Sequence, residues 1–167
     1  MSASDFVRDS TPADIGWIHD VLAKQWHGPL IERGDEFVDA SKLPCLIAER
    51  DGDKVGLATL LIGDNFLEII TINSFQEGIG VGTSLIDAAI GKGRELGKTD
   101  LRLFTTNDNI HAIGFYQKRG LHLHALHLGT MTRARTMKPE IPLVGKSGIP
   151  IRDEIELRIN LDFPNPE

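Results

Sequence analysis

The sequence predicts a mixed α/β fold (an α+β mixed sheet), in which a central, mostly antiparallel sheet carries one parallel pair. Three observations predict it. Between Cys45 and Ile72, β-branched runs separated by Asp51-Gly52 and Gly63-Asp64-Asn65 read as an antiparallel meander. That meander flows into Gly78, Gly80 and Gly82, which open directly into an amphipathic helix. The strand after this helix returns by a right-handed crossover, which sets it parallel to the strand before the glycines.

Each element has a local cause. Phe6, Val7 and Arg8 form a first strand. Thr11 reads as a helix N-cap, with Pro12 at the first helical position and Asp14 three residues after the cap. Ile15, Ile18 and Leu22 then recur at helical spacing, and Trp26-His27-Gly28-Pro29 ends the helix. The next segment is polar and less regular, with Phe37 and Val38 as anchors. Residues 45–48, 55–62 and 66–72 are the three meander strands. Residues 83–96 form the central helix, which buries Leu85, Ile86, Ala89, Ile90 and Leu96 and stops at Gly97. Gly91 and Gly93 inside it cost about 1 kcal/mol each against alanine. Residues 101–105 are a strand, 109–118 a short helix stopped by Gly120, and 121–128 another strand. Residues 131–150 form a long connection with three prolines, residues 155–161 alternate as a last strand, and the tail at 164–167 frays. The expectation is a single domain over 1–167, with a ligand-binding core at 66–121.

Composition narrows the function. The chain has 167 residues, 41% hydrophobic and 25% charged, the profile of a soluble globular protein with a real core. No apolar run is long enough to span a membrane, and the N-terminus lacks a signal-peptide hydrophobic region. Cys45 is the sole cysteine, which excludes an internal disulfide and fits a reducing, cytoplasmic compartment. The net charge of -6 and a pI near 5.5 argue against nucleic-acid partners and favour cationic or neutral substrates. An anion held by this chain must therefore rely on local amides.

The glycine stretch provides such amides at the positive end of a helix. A Walker A loop does not fit, because the lone Gly-Lys pair, Gly91-Lys92, lies mid-helix and is followed by Gly93. A dinucleotide fingerprint does not fit either, because its third glycine would be Thr83 or Leu85 and the loop follows an antiparallel meander. A ligand-free turn is the plain alternative.

Two motifs give the stretch a closer meaning. Glu77-Gly78-Ile79-Gly80-Val81-Gly82, followed by Thr83-Ser84-Leu85-Ile86, resembles motif A of the GNAT superfamily of acyl-CoA-dependent N-acetyltransferases. That motif is Gln/Arg-x-x-Gly-x-Gly/Ala, so Glu77 departs from it, and Gln76 sits one position early. Asn109-x-x-Ala112-x-x-Phe115-Tyr116-x-Lys118-x-Gly120-Leu121 resembles motif B of the same family, with Leu121 in place of Phe. The likeness is sharp over residues 69–121 and closest to small bacterial-type members.

The resemblance implies a GNAT fold, acetyl-CoA as co-substrate, no metal, and transfer of an acetyl group to an amine by direct attack on the thioester. It implies that the amides of Gly78, Ile79, Gly80, Val81, Gly82 and Thr83 hold the pyrophosphate. Main chain near Ile70 and Ile72 would pair with the pantetheine, and Asn109 would contact the same arm. Tyr116 takes the general-acid position; the plain reading is a core aromatic. Glu68 stands near where several members place a carboxylate, and burial would raise its pKa toward that of a base. Its alternatives are a solvated strand-end carboxylate, or deprotonation through ordered water. Trp26 and His27 fall where the family places substrate-facing loops, against core packing for Trp26. His122 and His124 share a strand face that His127 does not, so a metal cluster is not expected. Cys45 reads as a small core residue, and Arg133, Arg135 and Lys138 as solvated loop charges, with contact to substrate or a CoA phosphate as their alternative. Small-molecule or peptide amines are the expected partners of a monomer or homodimer, with neither nucleic acid nor membrane involved. A non-catalytic acyl-CoA-binding or sensing module is the second reading, and transfer of another acyl group the third.

Overall fold

Residues 6–162 are described by the computed structural model, and the tail expected to fray at 164–167 lies outside them. Strand β1 (Val7–Asp9) passes through a tight turn (Pro12–Asp14) into helix α1 (Ile15–Trp26). The Thr11 amide donates to Asp14 Oδ2 at 2.7 Å, so the start signal at Thr11 acts one turn earlier than the regular helix. Asp14 is buried and accepts from Arg8, with Lys54 Nζ at 3.0 Å.

The polar segment after α1 is more regular than its sequence predicts. Strands β2 (Leu30–Arg33) and β3 (Glu36–Asp39) form a hairpin around Gly34, whose φ is +58°. Four-residue strands carrying one buried anchor, Ile31, leave almost no periodic signal. The meander follows as β4 (Cys45–Arg50), β5 (Asp53–Ile62) and β6 (Phe66–Ser74). Helix α2 (Val81–Glu95) begins two residues before the predicted start. Strand β7 (Asp100–Thr106), helix α3 (Ile110–Lys118), strand β8 (His122–His127), the short helix α4 (Thr130–Ala134) and strand β9 (Glu154–Asn160) complete the order.

The large sheet runs β1-β4-β5-β6-β7-β9-β8. The β6–β7 pair is parallel, as the crossover rule requires, and the other neighbours are antiparallel. Alternation along the strands gives the sheet two different faces. Leu67, Ile69, Leu101, Leu103 and Leu157 pack beneath α2 with Leu85, Ile86 and Ala89. Each such buried Leu or Ile contributes about 1.5–3 kcal/mol. Gly93 explains itself here: a Cβ would meet Leu161 Cδ1 at 2.6 Å, so the glycine lets α2 lie close to the sheet. Gly91 has open space around it, and nothing in the structure explains it. On the opposite face Ile47, Leu57 and Ile70 meet Ile18 and Leu22 of α1.

Two features open the sheet. The β5–β6 register steps from Thr59↔Thr71 to Leu60↔Ile69, so Ile70 is an extra, bulged residue. The β6–β7 ladder stops at Ile69↔Leu103, one residue short of that bulge. Bulges bend a strand and increase its twist. Beyond this point β6 continues on β5 and β7 continues on β9 as far as Thr106↔Glu154, leaving a wedge between them.

The long connection is also built rather than loose. Met131, Ala134, Ile141 and Ile151 form a small core with Phe37. Arg135 donates to the carbonyls of Ile141, Pro142 and Ile151. Lys138 is buried, and its Nζ donates to Trp26 O and Leu30 O, each at 2.7 Å. These two charges are structural clamps, a correction to the solvated reading. Arg133 stays exposed, paired with Asp35 at 2.6 Å.

Candidate functional site

A groove of about 570 Å³ runs from the glycine loop to the wedge. Gly80 is the N-cap of α2, with φ +80°, a left-handed conformation that glycine adopts without strain. It offers no side-chain cap, and the first backbone bond of α2 runs from Ser84 N to Gly80 O at 2.9 Å. The amides of Val81, Gly82 and Thr83 therefore precede the first intrahelical donor, Ser84 N, and point out at the positive helix end. Gly78 and Glu77 line the same end, whereas Ile79 sends its side chain into the core. Arg119 adds a cation: its Nη1 donates to Thr83 Oγ1 at 3.2 Å, and its buried Nε has no hydrogen-bond partner.

A second cavity of about 130 Å³ lies on the other side of the wedge. Ile72, Asn109 and Tyr116 line both spaces. Asn109 also caps α3, its Oδ1 accepting from the Ala112 amide at 3.3 Å. Tyr116 is 8% exposed and stands edge-on to Phe115, with ring centroids 5.6 Å apart. Burial pushes its hydroxyl up to about 12, so the phenol keeps its proton across the neutral range.

Glu154, at the first position of β9, lines the second cavity together with Trp26, Glu32, Ile70 and Phe104. Trp26 is fixed by a 2.7 Å bond from its Nε1 to Asn73 Oδ1. His27 is separate from this wall: it is the exposed C-cap of α1, with φ +59°. Glu154 is 3% exposed, and its Oε1 has no hydrogen-bond partner. Its carboxyl is pushed up to about 8, first by burial and then by the negative charges of Glu32 and Glu68. The Thr130 hydroxyl and the Gly34 amide pull it partly back. Glu32 Oε2 also lacks a hydrogen bond and has Lys138 Nζ at 3.5 Å.

Glu68 is placed differently from the expectation of a lone carboxylate among apolar neighbours. It is 1% exposed, and both oxygens are occupied. Arg33 Nε and Nη2 donate to Oε2 and Oε1 at 2.5 and 2.6 Å, and Arg102 Nε donates to Oε1 at 2.8 Å. Two guanidinium groups thus engage both oxygens of this carboxylate and tie it to neighbouring strands. Cys45 is buried, and its thiol is pushed up to about 11, as a core position dictates. His127 Nε2 lies 3.1 Å from Glu156 Oε2, while His122 and His124 are exposed on β8. Among the described residues no group of His, Cys, Asp or Glu is disposed to hold a metal.

Sequence reasoning did not find Glu32, Glu154, Arg33 or Arg119. One signal was present for Glu154: it shares strand parity with Glu156 and Arg158, opposite the buried Leu157 and Ile159. Glu32 and Arg33 belong to no motif, and Arg119 occupies an unspecified position within the second one.

The profile of the Acetyltransferase (GNAT) family matches residues 13–121. The chain is 47% identical over 107 residues to the protein YxbD of Bacillus subtilis (strain 168), covering 64% of this chain and 67% of that one. A Bacillus subtilis acetyltransferase solved in complex with CoA superposes with a TM-score of 0.66 at 19% identity, over 93% of this chain and 97% of that one. YncA of Salmonella typhimurium, a putative acetyltransferase with its cofactor acetyl-CoA, gives 0.64 at 19% identity over 96% and 95%.

Proposed function

The chain belongs to the acetyltransferase (GNAT) family, and on that premise we propose that it moves an acetyl group from acetyl-CoA to an amine nitrogen. The observation that supports this most is the shared wall. Ile72, Asn109 and Tyr116 face both the long groove and the small cavity, so a donor in one and an acceptor in the other meet at Tyr116.

The groove fits the donor. Amides at residues 79–83 suit a pyrophosphate, and the wedge leaves the β6 main chain at residues 70–74 without a β7 neighbour to pair with. Arg119 brings a compensating cation to the helix end. Acetyl-CoA supplies the acyl group as a thioester. Tyr116 holds a proton beside the site of transfer, and its hydroxyl, pushed up to about 12, stays protonated at pH values where a thiol of reference pKa about 8.5 ionises. It is thus the proton donor for the leaving thiolate. Saturated by Arg33 and Arg102, Glu68 serves to lock β2 onto β6 and β7.

Calorimetry with acetyl-CoA, paired with thiol release against a panel of amines, tests the proposal. Binding together with release for at least one amine is the expected result. Tight binding with no release for any amine would reduce the protein to an acyl-CoA-binding module, and no binding of any CoA ester would overturn both readings.

A further inference from the structure

We infer that Glu154 takes the proton from the acceptor's ammonium group, and that the cavity selects compact cationic alkylamines over acceptors with a carboxylate beside the nitrogen. The inference rests on the acetyl-transfer reading above.

Position comes first. Glu154 closes the β7–β9 ladder opposite Thr106, beyond the point where β6 and β7 part, and so shares a cavity with Tyr116. Its Oε1 is buried without a hydrogen-bond partner, and Glu32, facing the same space from β2, has an Oε2 that accepts no hydrogen bond. Buried polar atoms without partners are rare in native proteins and call for a reason. A guest that brings both positive charge and N–H donors satisfies the two atoms together. The nearby cation serves one of them in part: Lys138 Nζ donates to two carbonyls and pairs with Glu32 Oε2 at 3.5 Å, leaving Glu154 Oε1 without a donor. Glu68 has no vacancy, being held by Arg33 and Arg102. Above about pH 8, where Glu154 ionises, a carboxylate next to the incoming nitrogen would instead meet its negative charge beside that of Glu32. The volume, about 130 Å³, corresponds to roughly four water molecules, so the acceptor's reacting end must be narrow.

Charge then sets the working pH. The groups facing Glu154 are Glu32 from β2, Glu68 from β6 with its two arginines, the Gly34 amide, the Thr130 hydroxyl of α4, and Tyr116 of α3. His127 is its cross-strand neighbour on β8, bound to Glu156. Burial dominates, opposed by the Thr130 and Gly34 hydrogen bonds and aided by the charges of Glu32 and Glu68, and Glu154 is pushed up to about 8, within reach of an alkylammonium whose reference value is about 10.4. The ammonium gives one proton to the Glu154 carboxylate, which passes it to solvent. The amine lone pair forms the C–N bond as the C–S bond breaks. The leaving sulfur receives the Tyr116 hydroxyl proton, and the second proton shed by nitrogen restores that hydroxyl.

Thiol release from acetyl-CoA is measured with butylamine, norvaline amide and norvaline from about pH 6 to about pH 10. We expect butylamine and norvaline amide to react and norvaline to be about 10-fold slower or worse, with kcat/KM rising through about pH 8. Glu154→Gln should lower kcat/KM by about 10²-fold and remove that rise, leaving acetyl-CoA affinity unchanged. Glu32→Gln should move the rise to lower pH, which a merely structural role does not predict. An unchanged rate and profile in Glu154→Gln, an unmoved profile in Glu32→Gln, or norvaline matching butylamine would each overturn the inference. Should Glu154→Gln fail to fold, the Glu32→Gln profile decides. If acetyl-CoA binds but no amine reacts, the acetyl-transfer reading fails separately. Calorimetry of butylamine on the CoA-loaded protein at about pH 9 then decides. Binding that is lost when Glu32→Gln and Glu154→Gln are combined supports the cationic site, and absent or unaltered binding overturns it.

Discussion

The groove and the cavity meet at Tyr116 but are made from different parts of the amino acid. The anion end of the groove is main chain: a left-handed Gly80 and three amides at the start of α2. The cavity is side chain: Glu32, Trp26, Phe104 and Glu154, drawn from α1, β2, β7 and β9. A backbone site needs only that no side chain intrudes, so it tolerates the contrary charge of Glu77. A side-chain site depends on every member, and on the clamps that aim it.

Mutations separate the two. Gly80→Val should have the largest effect, because a β-branched residue is strained at φ +80°; acetyl-CoA affinity should fall by about 10²-fold or more by calorimetry. A variant that bound normally would mean that the amides do not hold the donor. Arg102→Ala should leave the buried Glu68 with Arg33 as its remaining cationic partner, costing about 1.5–3 kcal/mol in denaturant unfolding. Tyr116→Phe should lower turnover by about 10- to 10²-fold with acetyl-CoA affinity intact, and unchanged steady-state turnover would remove Tyr116 from the chemistry. Stability should carry the mark of Glu154 as well. Its folded pKa lies above the unfolded value, so the native state holds a proton that the unfolded chain has released. Stability therefore falls as pH rises from about 4.5 to about 8, and Glu154→Gln should flatten that slope in thermal melts. Smallest of all, Glu77→Gln should leave acetyl-CoA affinity equal or a few-fold better, because it removes a negative charge from an amide-built site.

The same contrast explains what could be read from the sequence. Gly78, Gly80 and Gly82 advertise the groove because a backbone conformation leaves a compositional trace at fixed spacing. That Tyr116 faces the groove was legible through its neighbours Asn109, Ala112, Phe115 and Gly120. The meander, the central helix and the parallel strand followed from periodicity and turn signals. The β2–β3 hairpin was not legible, since its short strands carry one buried anchor. Nor was Lys138 as a clamp, because its partners are carbonyls, which any residue provides. Glu68 was located correctly on β6, but its two arginines come from distant strands, and that pairing changes what the carboxylate can do.

The bond from Lys138 to Trp26 has a consequence for the order of assembly. It joins positions 112 apart in the chain, while the groove draws on the compact interval 72–116. Closing a long interval costs chain entropy before any contact rewards it. The acceptor wall is therefore expected to form last and open first, with amides of β2 and β3 exchanging hydrogen faster than those of α2 and β6. Protection in the reverse order would contradict this. Molecules caught in the partly open state would still grip the donor after losing their choice of acceptor.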